Sequence, residues 1–380
     1  MRILLLSTSM GMGGADKQLL SASQELQSRG HEVLIVSLTA LGPMGLEARS
    51  IGIPVESLNM RRGIPDPRGL FRLAQLVRAW RPAVLHSHMV HANLMARVLR
   101  LLVPVPSLVS TIHNIHEGGW LLMTAYRLTN GIVDQMTIVS QAAFDRFVAE
   151  RIVPRELLRV LPNGVNTELF QNVPAAVRES LRRSLGVDRE FVWLAVGRFE
   201  SSKDYPNMLR AFARVHARHP QAVLLLVGKG SLQPEVEALT RSLGLTGAVR
   251  FLGVRNDVSQ IMSASDAYVM SSAWEGMPIV LLEAAAVGLP IVATRVGGNH
   301  EVVREEDGGM LVPARDSDAL GQAMLRMMEV SEEERRSIGG REREHIRQSY
   351  GLSRIVDGWE SLYREVLARK GSALARSPST

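Results

Sequence analysis

The sequence predicts an α/β protein of two domains, each built on a doubly wound parallel sheet. Short apolar runs alternate with amphipathic segments along the chain, which is typical of parallel strands joined by crossover helices. The length of 380 residues exceeds what one hydrophobic core commonly supports. A turn-rich segment at 162–165 separates two stretches of this alternation. We therefore expect a domain boundary near residue 163.

The first domain is predicted to span residues 1–163. Apolar runs of strand length alternate with amphipathic segments, except between the strands 108–112 and 136–139, so strands and helices are expected to alternate. The expected strands lie at 3–7, 33–38, 83–88, 108–112, 136–139 and 158–161, and the expected helices at 15–29, 68–80, 90–102 and 141–150.

The second domain, predicted over 164–351, repeats this pattern. Its expected strands lie at 191–196, 222–227, 249–252, 267–270, 290–293 and 310–312, and its helices at 206–218, 233–243, 256–264, 279–287 and 317–329. Two charged helices are expected over 332–370. The second of them, 352–370, carries apolar residues at helical spacing and is expected to return to the first domain. The tail 371–380 is expected to be disordered.

Composition excludes several classes of function. The chain has no cysteine, so disulfides, thiolate metal sites and cysteine nucleophiles are excluded. No apolar run reaches the roughly 18–20 residues of a membrane span. The start of the chain is too short for a signal peptide and lacks a cleavage site, which predicts a cytoplasmic protein. Aromatic residues make up 5%, and no nucleic-acid-binding motif accompanies the basic residues, so no nucleic-acid partner is expected.

Positive charge is concentrated in the first half. Residues 1–165 hold 17 Lys and Arg against 11 Asp and Glu, and the remainder is neutral. Two interpretations fit the helix at 68–80: a crossover helix with a solvated outer face, or a helix lying on anionic lipid headgroups at the inner face of the membrane. The arginines that raise this choice are Arg61, Arg62, Arg68, Arg72, Arg78 and Arg81.

Two carboxylates mark the most informative segment of the second domain. Glu275 lies in a predicted loop and Glu283 in the helix that follows, so both can face one ligand. Gly276 and Pro278 open that helix, whose first amides form an anion site by geometry. A carboxylate directly before such amides suits the hydroxyl groups of a sugar.

Basic residues follow another predicted strand of the same domain. Arg198 and Lys203 come after Gly197, at the end of the strand 191–196 and beside a helix start. Cationic side chains next to helix amides suit a diphosphate. Ordinary surface charge is the alternative. Asp316 and Asp318, by contrast, directly precede a helix and are interpreted as a cap and a first-turn acid rather than a metal site.

A glycine loop follows the first strand. Gly13 and Gly14 resemble half of a dinucleotide-binding fingerprint, but position 16 is aspartate. Either the loop brings backbone amides to a phosphate or sugar, or it is only a tight turn. Asp16 fits a helix cap.

Histidines follow two predicted strands of the first domain. His88 ends the strand 83–88, and the last residue of a strand is expected to reach the ligand edge of the sheet. His113 follows the next strand in the same way. Each is either a site residue or a structural histidine, and no clustered carboxylate completes a metal site around them.

These motifs jointly resemble the retaining, metal-independent glycosyltransferases of family 4. The resemblance covers almost all of 1–370 and implies the GT-B fold, two Rossmann-like domains that face a central cleft. The matching motifs are Gly13-Gly-Ala-Asp16, His86-Ser-His88, Pro162-Asn-Gly-Val165, Gly197-Arg198 with Lys203, Gly228-x-Gly230, Phe251-Leu-Gly253, Ser271-Ser-Ala-Trp-Glu-Gly276, Glu283-Ala284 and Gly297-Gly298.

The resemblance implies a transfer of a hexosyl group from a nucleotide-diphosphate sugar, with UDP the commonest base in the family, and neither cofactor nor metal. Catalysis would rest on the groups at the donor diphosphate and sugar, namely His88, Arg198, Lys203 and Glu275. The donor would contact Gly13, Gly14, Gly197, Arg198, Lys203, Arg255, Glu275, Gly276, Met277, Pro278, Ile279 and Glu283. Asp16 and His113 would lie on the acceptor side.

The acceptor implied by the basic first domain is a lipid-diphosphate-linked saccharide or a polysaccharide, used in surface polysaccharide assembly. Two alternatives share the fold: a nucleotide-sugar 2-epimerase, which needs no acceptor, and a non-catalytic nucleotide-sugar-binding protein.

Overall fold

The structure, a computed structural model, describes residues 1–61, 63–64 and 66–376. It divides into two compact units, Met1–Gly164 with Leu352–Thr380, and Val165–Gly351. The boundary falls one residue after the predicted one. Arg62, one of the predicted basic cluster, lies outside the described residues.

The first unit is built on a seven-stranded sheet in which every neighbouring pair is parallel. The strands are β1 (Arg2–Ser7), β2 (Glu32–Thr39), β3 (Val55–Met60), β4 (Val84–His88), β5 (Ser107–Ile112), β6 (Gln135–Ile138) and β7 (Leu158–Val160). Their order is β3-β2-β1-β4-β5-β6-β7, so the direction of winding reverses between β1 and β4. Ligands of open α/β sheets bind beyond the carboxyl ends of strands at such a reversal.

Helices cover both faces of this sheet. They are α1 (Gly14–Ser28), α2 (Pro43–Ser50), α3 (Pro67–Trp80), α4 (Val90–Arg100), α5 (Trp120–Thr129), α6 (Gln141–Ala149) and, from the end of the chain, α15 (Leu352–Arg376). Successive residues of β1 point to opposite faces. Leu4 and Leu6 join the core under α3 to α6, whereas Ile3 and Leu5 join the core under α1, α2 and α15.

The second unit repeats the arrangement with six parallel strands in the order β10-β9-β8-β11-β12-β13. The strands are β8 (Phe191–Val196), β9 (Ala222–Val227), β10 (Val249–Gly253), β11 (Ala267–Met270), β12 (Ile291–Thr294) and β13 (Met310–Val312). The helices are α7 (Ala175–Leu185), α8 (Tyr205–Arg218), α9 (Gln233–Ser242), α10 (Val258–Ala264), α11 (Ile279–Val287), α12 (Asn299–Val302), α13 (Ser317–Glu329) and α14 (Glu332–Ser349). The reversal here lies between β8 and β11, which makes the loops after these two strands neighbours.

Two predictions about elements need correction. The sequence analysis did not predict β3, α2, α5, α7 or α12; β3, for example, lies at the sheet edge and buries only Val55 and Leu58. The disorder predicted from residue 371 is wrong up to Arg376, since α15 continues through it. Ala, Leu and Arg in that segment are strong helix formers. Residues 377–380 lie outside the described part.

Two adjacent glycines of α14 provide a test of how this helix packs against the end of α11. A Cβ on Gly339 would overlap the carbonyl oxygen of Gly288, whereas Gly340 is exposed with open space around it. We expect Gly339→Ala to lower the free energy of unfolding by about 1–3 kcal/mol, the usual cost of overpacking. Gly340→Ala should raise it by about 0.5–1 kcal/mol, the helix preference for alanine. Urea denaturation measures both, and equal effects of the two substitutions would contradict the packing.

Candidate active site

An ion pair joins the loops that follow β8 and β11. Lys203 Nζ lies 2.5 Å from Glu275 Oε1, and the Ser272 hydroxyl donates to the same oxygen at 2.8 Å. The Lys203 side chain is 20% exposed and that of Glu275 12%, so the pair is reachable from solvent although it is mostly buried. The structure therefore brings together two residues that the sequence placed after separate strands.

Backbone hydrogen bonds fix the loop that carries Glu275. On one side, the Ser271 hydroxyl contacts the carbonyl oxygens of Lys203 and Asp204 at 2.8 and 2.9 Å. On the other side, Thr294 Oγ1 donates to the Ser272 carbonyl oxygen at 2.6 Å. The sequence alone did not predict this role for either serine. The pattern that could have identified them is a pair of hydroxyl side chains directly after the buried strand β11.

Two glycines allow backbones to approach closely around this site. Gly297 has a φ of 50°, and a Cβ there would overlap the backbone of Glu275. Gly228 has a φ of 138°, and a Cβ there would overlap the Gly197 carbonyl group. Only glycine adopts these conformations and leaves this space without strain. The Gly298 amide then donates to the Gly276 carbonyl oxygen at 2.7 Å, which joins the loop before α12 to the start of α11.

Helix α11 begins at Ile279, and residues 276–278 connect it to Glu275. Gly276, Met277 and Ile279 are buried, and Pro278 is the N-cap residue. The first amides of a helix have no acceptor within the helix, so they attract an anion. Glu283 lies one turn further on and is 3% exposed.

Both carboxylates act on the same phenol. Burial raises the pKa of Tyr268 in β11 well above its ordinary value, and the charges of Tyr205, Glu283 and Glu275 raise it further. The predicted convergence of Glu275 and Glu283 is thus consistent with the electrostatics around Tyr268.

The two predicted arginines of the second unit are held by other partners. Arg198, 55% exposed, lies 2.9 Å from Glu200, and Arg255 makes two hydrogen bonds to Asp257, at 2.8 and 2.6 Å. Asp257 raises the pKa of Arg255 through these bonds. Both arginines follow strands of the sheet, but in this structure neither is drawn into the Lys203–Glu275 pair.

In the first unit, the glycine loop leads into α1, and Asp16 caps the start of this helix, one of the two interpretations of the sequence. Helix α1 begins at Gly14, and Asp16 accepts a hydrogen bond from the Gly13 amide at 3.0 Å. Asp16 is 5% exposed. Its carboxylate therefore stabilises the loop, and its role on the acceptor side stays a prediction, like that of Gly13 and Gly14 at the donor.

The histidines form a buried cluster at the ends of β4 and β5. His88 is 1% exposed, covered by the ring of Trp359 from α15. Its Nδ1 lies 2.9 Å from Nε2 of His113, which is half-buried. His88 lies at the carboxyl end of β4, as expected, but α15 packs over it, and His113 is the more exposed of the two. The contact of His88 with the donor sugar stays a prediction.

Two nitrogens of this cluster are available to a ligand. His88 Nε2 and His113 Nδ1 are buried and have no hydrogen-bond partner among the described residues. An unsatisfied buried polar atom costs roughly 1–3 kcal/mol, so a ligand that supplies a partner is favoured.

Burial determines the charge of the cluster. It lowers the pKa of His86 to about 3 and of His113 to about 4, and it lowers the pKa of His88 well below its usual value. Burial raises the pKa of the nearby Glu117 to about 7, although hydrogen bonds from the His113 amide and from Tyr126 oppose this rise. The three histidines are therefore neutral at pH 7.

Asp316 caps α13, as predicted, by accepting hydrogen bonds from the Asp318 and Ala319 amides at 3.1 and 2.8 Å. Over residues 1–61, 63–64 and 66–376, no group of three His, Asp or Glu side chains is arranged to hold a metal ion. Within the same part of the chain, every helix is too short or too polar to cross a bilayer.

The histidine cluster predicts a loss of stability in acid. His86 has a lower pKa in the folded chain than its ordinary 6.5, so falling pH favours the unfolded chain. This contribution is complete above pH 6.5 and is lost toward pH 3, at up to about 1.4 kcal/mol per pH unit. We expect His86→Gln to show a smaller fall in Tm than the unsubstituted protein between pH 6.5 and 4.5. The exposed His91→Gln is the control, and the same pH slope in all three proteins would contradict the assignment.

Comparisons with known proteins agree with this architecture. The family model for glycosyltransferase family 4 matches residues 12–169, and the model for glycosyl transferases group 1 matches residues 177–345. An Escherichia coli UDP-Gal:α-D-GlcNAc-diphosphoundecaprenol α-1,3-galactosyltransferase is 27% identical over 324 residues, 81% of each chain. The Bacillus anthracis N-acetyl-α-D-glucosaminyl L-malate synthase is 28% identical over 62% of this chain and 60% of its own.

Among solved structures, Anabaena HepE in complex with UDP-glucose matches with a TM-score of 0.85 and 24% identity, over 97% of this chain and all of the other. A sucrose-phosphate synthase from Thermosynechococcus elongatus matches with a TM-score of 0.83 and 20% identity, over 97% of this chain and all of the other. The fold is therefore GT-B. Since the two family models together cover most of the chain, the chain belongs to the family 4 glycosyltransferases and is a glycosyltransferase.

Proposed function

We propose that this glycosyltransferase moves a sugar from a UDP-linked donor to a hydroxyl group of a lipid-diphosphate-linked or polysaccharide acceptor, with retention of the anomeric configuration. The observation that carries the proposal is the Lys203–Glu275 pair at the start of α11. It combines a cation for a diphosphate, a carboxylate for sugar hydroxyls and a helix start for an anion.

Lys203 serves the leaving group. An ammonium group has three N–H donors. Glu275 accepts one of them, which orients the side chain and leaves two for diphosphate oxygens. The amides of Gly276, Met277 and Ile279 add the field of the α11 start. Arg198, exposed beside Gly197, supplies a second cation once it exchanges Glu200 for the diphosphate.

The carboxylates hold the sugars of the donor. Glu275 binds hydroxyl groups of the transferred sugar, and Glu283 binds the ribose. Arg255, after β10, lies on the side of the base. The family resemblance assigns Gly13, Gly14 and His88 of the first unit to the donor and Asp16 and His113 to the acceptor side, and these assignments stay predictions.

The reaction needs no enzyme nucleophile. The bond between the anomeric carbon and the diphosphate oxygen breaks, and its electron pair stays on the diphosphate. The acceptor oxygen forms the new bond on the same face of the sugar and passes its proton to the leaving phosphate. Lys203, Arg198 and the helix amides stabilise the charge that develops on the diphosphate. These groups fill the role that a metal ion takes in other transferases, so we propose that no metal is required.

Relatives support the choice of donor and acceptor. HepE has been crystallised with UDP-glucose, and the Escherichia coli relative is named for transfer from UDP-Gal to an undecaprenol-diphosphate-linked sugar. Those ligands belong to those proteins; for this chain they favour a UDP-sugar and a lipid-linked acceptor over the 2-epimerase and the binding-protein alternatives.

A face of the first unit suits a lipid-linked acceptor. Helices α3, α4 and α5 lie side by side on one face of the sheet, and none of them contains Asp or Glu. The exposed side chains on or beside these helices include large apolar groups, namely Phe71, Val98, Leu101, Leu102, Trp120, Leu121 and Leu128.

Basic side chains accompany these apolar groups. Arg68, Arg72 and Arg78 are exposed on α3, and Arg127 is exposed on α5. Arg78 also donates to the Leu102 carbonyl oxygen at 3.2 Å, which ties α3 to the end of α4. Apolar side chains among arginines match the interface of an anionic bilayer. We propose that this face binds anionic lipid and brings the enzyme to its acceptor.

The donor site is tested by measuring the effect of each substitution on the binding of UDP and of a UDP-sugar separately. We expect Lys203→Ala to lower transfer at least about 100-fold, as loss of a group at developing charge does, and to weaken UDP binding about tenfold. Glu275→Gln should keep UDP affinity but lose the extra affinity for a UDP-sugar. Calorimetry measures the binding, and product release measures the transfer. The control is Arg336→Ala, which removes an exposed cation on α14.

Incubation of the unsubstituted protein with UDP-sugars alone distinguishes the alternatives. An epimerase converts a donor without an acceptor, and a binding protein leaves it intact even with acceptor present. Near-normal turnover by Lys203→Ala would contradict the assignment of the leaving-group site.

The lipid face is tested by sedimentation with vesicles. We expect binding to vesicles that contain phosphatidylglycerol, weaker binding at high salt, and little binding to neutral phosphatidylcholine vesicles. Joint substitution Leu101→Ser and Leu128→Ser should reduce binding about tenfold, since each removes a buried apolar contact with the bilayer. Leu169→Ser, at an exposed leucine of the second unit, is the control. If all variants bound equally to both vesicle types, this face would not be the lipid-binding surface.

A further inference from the structure

A buried carboxylate of the first unit touches the histidine loop but has no part in the site so far described. Glu117 is 8% exposed and lies in the loop between β5 and α5. Its Oε1 accepts a hydrogen bond from the His113 backbone amide at 2.8 Å, and its Oε2 accepts one from the Tyr126 hydroxyl at 3.0 Å. One side chain thus connects the His113 backbone to the core of α5.

The anchor behind Glu117 is rigid. Tyr126 is fully buried, and its hydroxyl group accepts a hydrogen bond from Asn93 Nδ2 at 2.9 Å. Asn93 Nδ2 also donates to the Thr111 carbonyl oxygen at 2.9 Å, close to the end of β5. The guanidinium group of Arg97 lies 4.8 Å from the centre of the Tyr126 ring. Glu117 therefore ties its loop to a network that spans α4, β5 and α5.

The direction of these hydrogen bonds explains why position 117 needs a side chain that accepts two of them. Asn93 donates to Tyr126, so the Tyr126 proton is directed to Glu117. The His113 amide also donates to Glu117. A carboxylate offers two acceptor oxygens, whereas an amide offers one.

The hydrogen bond from the His113 amide to Glu117 affects the position of both rings of the histidine pair. The backbone of His113 is held by Glu117, and its ring is held against His88 by the 2.9 Å contact. The second nitrogens of the two rings, His88 Nε2 and His113 Nδ1, are buried and have no partner in the part of the chain that the structure describes. The His113 backbone belongs to a loop that includes Gly118 at a φ of 118°, and Glu117 connects that loop to the buried Tyr126 hydroxyl.

We infer that Glu117 is a positioning residue: it holds His113, and through it the contact with His88, so that the two buried, unpartnered nitrogens are placed to bind the sugar of a substrate. This inference rests on the proposed function, because it assigns a purpose to that positioning. Glu117 does not touch the substrate itself.

The kinetic test compares Glu117→Ala, Glu117→Gln, His113→Ala and the double variant Glu117→Ala with His113→Ala. We expect Glu117→Ala to lower kcat/KM roughly 10- to 100-fold, as misplacement by about 1 Å does, with unchanged UDP affinity. Glu117→Gln should recover most of the activity, because its amide oxygen still accepts from the His113 amide. In the double variant, Glu117→Ala should cost nothing beyond His113→Ala, since one residue acts through the other.

Glu342→Ala is the matched control. Glu342 is also a buried glutamate, 1% exposed, but it lies on α14 of the second unit. Its loss should change stability without changing kcat/KM. If Glu117→Ala leaves kcat/KM unchanged, or if its cost adds fully to that of His113→Ala, the inference is overturned.

Nitrogen-15 NMR of the imidazole rings separates this inference from the proposed function. His88 and His113 share one proton, so in the unsubstituted protein we expect one set of sharp, neutral-ring signals, and in Glu117→Ala exchange-broadened or shifted ones. Should the protein show no transfer with any nucleotide sugar, the proposed function fails while the ring signals still decide whether Glu117 positions the pair. Identical ring spectra in both proteins would contradict the positioning.

Discussion

The candidate site depends on the backbone contacts that hold the loop between β11 and α11. Ser271 fastens this loop to the carbonyl groups after β8, and Thr294 fastens it to the end of β12. Gly297 allows the neighbouring backbone to pass against Glu275 without a side chain between them. Because the loop is held on both sides, Glu275 has a fixed position, and Lys203 meets it at 2.5 Å.

Sheet topology explains why these loops meet at all. The reversal of winding makes β8 and β11 neighbours, although more than 70 residues separate them along the chain. Parallel strands end at the same edge, so the residues after both strands lie together there. The first unit follows the same rule, with His88 at the end of β4 and His113 directly after β5. In both units, a buried carboxylate fixes a polar group at this edge: Glu275 orients a cation, and Glu117 holds a backbone amide.

Much of the fold could be predicted because apolar runs and amphipathic periods directly reflect burial. The residues that follow strands β8 and β11 were therefore identified from the sequence, and the ion pair between them is a consequence of topology. Elements without an apolar run, such as α7, left no such signal. The burial of His88 could not be predicted either, because Trp359, which covers it, lies more than 270 residues away. Glu117 has no motif, and its importance is visible only through its contacts with Tyr126 and His113.

The most direct measurement is a crystal structure of the protein with a bound UDP-sugar. The account predicts the diphosphate within hydrogen-bond distance of Lys203 Nζ and of the first amides of α11, with Glu275 on hydroxyl groups of the sugar. A nucleotide bound elsewhere, with the Lys203–Glu275 pair untouched by it, would contradict the central claim.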